Sequence, residues 1–148
     1  MLLIASDHGG LELKESLLKH LQKRNLAVSD CGTGNDDSVD YPDFGEKVAR
    51  SISNGEAQLG VLVCGTGIGM SIVANKFPAV RAALVHDTFT AQMAKQHNNA
   101  NVLVLGGRIL EAELAREMID IWLDSQFEAG RHQKRLDKIT ALEEETRS

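Results

Sequence analysis

Five short apolar runs set the limits on what this chain can become. They are LLIAS (2–6), LAVSD (26–30), GVLVC (60–64), RAALV (81–85) and NVLVL (101–105). Each is too short for a buried helix. Near-continuous apolarity over about five residues marks a strand covered on both faces, as in a parallel sheet. The segments between them carry apolar residues at helical spacing. Leu13, Leu17 and Leu21 recur every four residues, with Leu18 alongside, and Phe44, Val48 and Ile52 repeat the pattern after Pro42. Proline is well suited to the first turn of a helix. Leu114, Ala115, Met118, Ile119 and Trp122 form one later stripe. A polar helix is expected over roughly 129–146, with Leu136, Ile139, Ala141 and Leu142 as its apolar contacts. Strand and helix alternating through 148 residues predict one α/β domain over 1–148. The expected form is Rossmann-like: three α/β/α layers, a five-stranded parallel sheet and a C-terminal helix. Such a sheet binds ligands beyond the carboxyl ends of its strands, where the strand order reverses.

Composition removes several function classes. No apolar run approaches the length of a membrane span, and MLLIASDHGG lacks the basic and apolar regions of a signal peptide. The net charge of −5 argues against nucleic acid or an acidic membrane as partner. An anionic ligand must therefore be held by a local group of bases. Two cysteines without metal-type spacing fit a reducing cytoplasm.

Chemistry collects at the expected strand ends. These are Ser6-Asp7-His8-Gly9-Gly10, Cys64-Gly65-Thr66-Gly67-Ile68-Gly69-Met70-Ser71, His86-Asp87 and Gly106-Gly107-Arg108. At any single end, glycines making turns and an aspartate capping a helix would explain the residues. Four such ends on one edge point to a site. In CGTGIGMS, three glycines let backbone approach a ligand, and a helix is expected to start near Ile68. The spacing is neither the dinucleotide fingerprint nor a P-loop, so no nucleotide cofactor is indicated. Cys64 alone would pass for a small buried hydrophobe. Beside free N–H groups it is instead a candidate thiolate, and the same groups, with the Thr66 hydroxyl, could stabilise an oxyanion. Cys31, in DCGTG, has no such partner and reads as structural. His97, beside Asn98, is either a helix C-terminal cation or a functional base. Arg131 and Arg135, four apart, share a helix face. They are either a solvated charged face or, with Arg108, a phosphate clamp.

These segments together resemble ribose-5-phosphate isomerase type B. The resemblance rests on SDHGG, DYPDF (40–44), CGTGIGMSIVANK (64–76), RAALVHD (81–87), QHNNANVLVLGGR (96–108) and FEAGRHQKR (127–135). It implies an aldose–ketose isomerase of the pentose phosphate pathway, acting on ribose 5-phosphate without metal or cofactor. It also implies dimers, in some members tetramers, with each site shared between subunits. Cys64 falls on the family's catalytic base. Another branch has glycine there and a glutamate six residues later, where this chain has Met70. His97 falls on the ring-opening residue. Asp7, His8, Tyr41, Gly65, Thr66, Gly67, Ile68, Gly69, Asn98, Arg108, Arg131 and Arg135 match ligand-contact positions. Galactose-6-phosphate isomerase subunits share the glycine loop, so galactose 6-phosphate or allose 6-phosphate are alternative substrates. A non-catalytic phosphosugar-binding module is the alternative of another class.

Overall fold

The computed structural model describes residues 1–147. Its sheet has five parallel strands in the order β2-β1-β3-β5-β4. These are β1 (Leu2–Ser6), β2 (Val28–Asp30), β3 (Leu59–Cys64), β4 (Ala82–Leu84) and β5 (Val102–Gly106). The helices are α1 (Leu11–Lys23), α2 (Tyr41–Ser53), α3 (Ile68–Ala74), α4 (Thr88–Gln96), α5 (Ala112–Asp124) and α6 (Arg131–Glu145). A single 3-10 turn, His8–Gly10, precedes α1.

The alternation of side chains on each strand feeds two cores. Ile4, Val61, Val63, Leu103 and Leu105 face α1, α4 and α5, whose Leu13, Leu17, Ala91, Met118 and Trp122 close that side. Leu3, Ala5, Leu62, Cys64, Val102 and Val104 face α2 and α3, which supply Val48, Ile52, Met70 and Ala74. The Leu13-Leu17-Leu21 stripe is buried, as its spacing requires. The three central strands are buried throughout or nearly so. β2 and β4 depart from expectation. Each keeps only three residues, and these are half-buried or exposed. They form the sheet's edges, where a strand has one neighbour and partial cover, so pairing stops early.

The chain leaves β1 for β2 on one side and then crosses to β3 on the other. The order therefore reverses between β1 and β3. α1 and α2 diverge to opposite faces there, opening a crevice at the ends of Ser6 and Cys64.

One buried charge braces that crevice. Lys14 is 1% exposed and lies on the inner face of α1. Its Nζ donates to both carboxylate oxygens of Asp30, at 3.0 and 2.9 Å, and to the Thr33 carbonyl. Gly32 and Thr33 in turn bond to the Ser6 backbone on either side. The pair thus ties the turn after β2 to the end of β1. Lys14→Met would leave the Thr33 carbonyl without its side-chain donor and the Asp30 carboxylate with only the Gly32 N–H. The expected loss is about 2 kcal/mol, or a fall in Tm of roughly 4–8 °C. A melting curve within 1 °C of wild type would show that water replaces the ammonium without cost (about 0.5 kcal/mol or less).

Candidate active site

At the carboxyl edge, β3 ends on Cys64, which is 5% exposed. The strand is held on both sides, by β1 and by β5. The chain then turns through Gly65, Thr66 and Gly67 into α3. Gly67 takes φ 83°, in the left-handed region. That turn aims the Gly67 N–H at Cys64 Sγ, 3.2 Å away. The Ile68 N–H donates to Thr66 Oγ1 at 3.3 Å, and Thr66 is exposed to the crevice. A Cβ at residue 67 would meet Leu84 Cδ1 at 2.5 Å and the Leu105 carbonyl oxygen at 3.2 Å. Glycine is required here by both conformation and space.

The neighbouring ends converge on this loop. The Gly107 N–H donates to the Cys64 carbonyl at 2.8 Å, and the Arg108 N–H to the Gly65 carbonyl at 3.0 Å. These bonds carry the Arg108 side chain back over Gly9 and Gly65, where Cβ atoms would lie 3.4 Å from its guanidinium. Asp7 caps the turn after β1, accepting from the Gly10 N–H at 3.1 Å, and is buried. His8 Nδ1 accepts from the Val39 N–H at 3.1 Å. A ring nitrogen that accepts carries no proton, so the free Nε2 of neutral His8 is a donor. Tyr41, first in α2, packs its ring against Gly69, where a Cβ would overlap it. Asp7, His8, Tyr41, the 64–69 loop and Arg108 therefore form one contiguous rim.

His97, Asn98, Arg131 and Arg135 lie elsewhere. α4 starts at the carboxyl edge and runs back, so His97 sits at the amino edge, shortly before β5 begins. The Glu128 N–H bonds the Gln96 carbonyl at 3.0 Å, fixing the start of α6 beside it. His97 and His132 stack with ring centroids 4.1 Å apart and planes 13° from parallel. Arg131 and Arg135 are exposed on the same helix. Asn98 borders a groove under Leu136 and Ile139 of α6. The length of β5 puts on the order of 15 Å between the two edges. One chain thus carries two groups of candidate residues and does not join them. Arg108 belongs to the first group, Arg131 and Arg135 to the second.

The profile of the Ribose/Galactose Isomerase family matches residues 2–139. The chain belongs to that family. Ribose-5-phosphate isomerase B of Escherichia coli is 44% identical over 138 residues, covering 93% of each chain. The Clostridium thermocellum ribose-5-phosphate isomerase B structure superposes with a TM-score of 0.96 at 46% identity, over 98% of both chains. The Mycoplasma genitalium enzyme, solved with ribulose 5-phosphate bound, has a TM-score of 0.93 at 44% identity, over 97% of this chain and 96% of that one.

Met70 lies six residues after Cys64, and its thioether has no basic group to offer. It is fully buried against Gly45 and offers nothing to the crevice. Cys31 is half-buried, and burial, then the Asp30 carboxylate, push its thiol up. It is a poor nucleophile at neutral pH. Three residues of this neighbourhood escape a reading of sequence alone: Lys14, Glu128 and His132. Lys14 sits on an otherwise amphipathic helix face, and its partner Asp30 is sixteen positions away. His132 was visible between Arg131 and Arg135, but its stacking on His97 is a contact between distant segments. Burial, then the nearby charges of His97 and Arg131, push its pKa down.

A paired comparison of glycines tests the loop. Gly55 and Gly67 have similar φ, 79° and 83°, but a Cβ at Gly55 meets nothing within 4 Å. Both substitutions by alanine carry the left-handed penalty of about 1–2 kcal/mol. Gly67→Ala should cost about 1–3 kcal/mol more, from overpacking against Leu84 and Leu105. Urea denaturation of the two variants measures the difference, and equal losses would show that the loop is not packed as described.

Proposed function

We propose that the chain interconverts ribose 5-phosphate and ribulose 5-phosphate through an enediolate, with Cys64 as the base. The observation that carries this reading is the Gly67 N–H pointing at Cys64 Sγ from 3.2 Å. A donor so placed stabilises a thiolate on the thiol side of the crevice, and its loop neighbours face the reacting oxygens. No other residue of the loop can remove a carbon-bound proton.

The steps use both groups of residues, the second supplied by another copy of the chain. Arg108, with Arg131 and Arg135 and the Nε2–H of His8, holds the phosphate. Binding at that remote group fixes the carbons. His97 moves a proton between the ring oxygen and O1, opening the furanose to the aldehyde. The thiolate takes the C2 proton. Negative charge passes to oxygen, where the loop N–H groups and the Thr66 hydroxyl receive it. A proton returns from the thiol to C1 as the hydroxyl proton shifts from O2 to O1, giving the ketose. Asp7, Tyr41 and Asn98 line the sugar. None of these steps calls for a metal or a cofactor.

In this reading the active unit is a homodimer. Cys64 and His97 stand at opposite edges of one sheet, so a second copy must bring His97, Asn98, Arg131 and Arg135 to the Cys64 crevice. A twofold axis does this twice over. Large apolar side chains are exposed where such a contact would form: Ile68, Ile72 and Phe89 near the carboxyl edge, Ile139 and Leu142 on α6. Two free thiols suit the cytoplasm.

A coupled assay should show ribose 5-phosphate converted faster than allose 6-phosphate; the reverse order would reassign the substrate. Cys64→Ala should abolish turnover at least 1000-fold while substrate affinity stays within about threefold. Retained turnover would remove Cys64 as the base. The shared site has its own test. Cys64→Ala and His97→Gln subunits, each inactive alone, should recover about a quarter of wild-type activity when refolded together, because half the dimers are hybrid and each hybrid has one intact site. No recovery would mean that each chain works with its own histidine.

A further inference from the structure

His97 and His132 do not close a hydrogen bond with the carboxylate between them. Glu128 Oε1 stands 3.7 Å from His97 Nε2 and 3.5 Å from His132 Nε2. Both separations exceed the 2.7–3.2 Å of a hydrogen bond. The three donor atoms nevertheless lie within 4.8 Å of one another. Around a tetrahedral zinc ion, with bonds of about 2.0–2.1 Å, neighbouring donors are about 3.3 Å apart. The carboxylate edges of this triangle are thus within about 0.4 Å of that spacing.

We propose that His97, Glu128 and His132 form a binding site for a divalent transition ion of the zinc class, whose occupancy withdraws His97 from proton transfer. Two imidazoles and one carboxylate are the donor set such an ion takes, with water completing the shell. Calcium and magnesium, which need oxygen donors, do not fit it. The mechanical requirements are met unequally by the three residues. His132 is 8% exposed and held in α6, so it is the fixed donor. His97 and Glu128 are 38% and 52% exposed and have room to turn. The nearly parallel rings must splay for both lone pairs to meet one ion, and His97 is the ring free to tilt. The Glu128 N–H bond to the Gln96 carbonyl keeps the two segments together without any ion. Arg131 and Arg135, on the same helix turn, oppose a cation. They make this a site of moderate affinity that fills and empties, not a structural one.

The consequence for catalysis rests on His97 being the ring-opening residue. A metal on Nε2 occupies the lone pair that would accept the proton. Zinc should then inhibit reversibly, acting from outside the thiol loop.

Equilibrium dialysis of the full chain with Zn2+ alone, and the visible spectrum with Co2+, test the site directly. One ion per chain is expected, with tetrahedral Co2+ bands and no thiolate charge-transfer band. Glu128→Gln and His132→Gln should each weaken binding at least tenfold, and Cys64→Ala and Cys31→Ala should leave it unchanged. Glu128 is exposed, so its variant reports even if His132→Gln folds poorly. Unchanged affinity in Glu128→Gln, or loss of binding in Cys64→Ala, would overturn the site. Initial rates with ribose 5-phosphate then test the consequence. Wild type should be inhibited by zinc and restored by chelator, and Glu128→Gln, against its own metal-free rate, should need at least tenfold more zinc. An ion bound at the cluster with turnover undiminished would overturn the inhibitory role and the assignment of His97, while the binding data stand apart from both.

Discussion

The Gly67 N–H reaches the Cys64 sulfur because residue 67 has a left-handed backbone and no side chain. Both conditions come from packing elsewhere. Leu84 of β4 and the Leu105 carbonyl of β5 press on the loop from below. Those strands are in place because β5 lies between β3 and β4. The contact is therefore set by β5 and the edge strand β4 beneath the loop and not by the loop alone. A loop held this way can keep an N–H aimed at sulfur without reorganising as charge develops, which is the property that makes a donor catalytic. The Lys14–Asp30 pair serves the opposite wall of the same crevice, tying the turn after β2 to the end of β1.

The separation of the candidate residues into two edges follows from helix direction. A parallel α/β sheet sends every connecting helix from the carboxyl edge back to the amino edge. A residue at a helix start shares the edge of the strand ends, and a residue at a helix finish does not. Tyr41 and Ile68 begin helices and lie at the crevice. His97 ends one and lies at the far edge. Within one subunit, helix direction places His97 at the edge away from Cys64. The proposed two-subunit site is the remedy such a fold permits, and it also divides the arginines. Arg108 sits on one chain's rim, and Arg131 and Arg135 on the other chain's helix.

What could be read from the sequence was what is local. The central strands β1, β3 and β5, the stripes on α1 and α5, and the helix start at Ile68 depend on residues within a few positions of each other. The apolar letters of the edge strands look the same as those of central strands and so overstate their length; only the sheet order reveals that β2 and β4 have one neighbour. Lys14 was hidden for the same reason. A lysine on a helix reads as solvated until its partner, brought in by a different strand, is known. The list of candidate residues could be compiled from motifs, but its division between two edges is a property of topology and has no local signature.

The two cysteines show what a motif leaves undecided. Cys31 follows β2 and Cys64 ends β3, and both precede a glycine and begin the letters CGTG. Their surroundings differ. Cys31 leaves an edge strand beside the Asp30 carboxylate, and its sulfur faces a Ser29 carbonyl at 4.0 Å. Burial, and then the negative charge of Asp30, oppose a thiolate there. Cys64 leaves the central strand, has no carboxylate adjacent in sequence, and meets a backbone donor at 3.2 Å. The same four letters give a left-handed glycine in each turn, at Gly32 and Gly67, but only the second leads directly into a helix. At Gly32 the space that a side chain would fill is taken by the Phe44 ring. That turn is packed shut, whereas Thr66 and Ile68 around Gly67 remain open to the crevice. The surroundings of each thiol are therefore set by which strand it adjoins and what the following backbone points at, and the sequence match between the two turns carries no information about them.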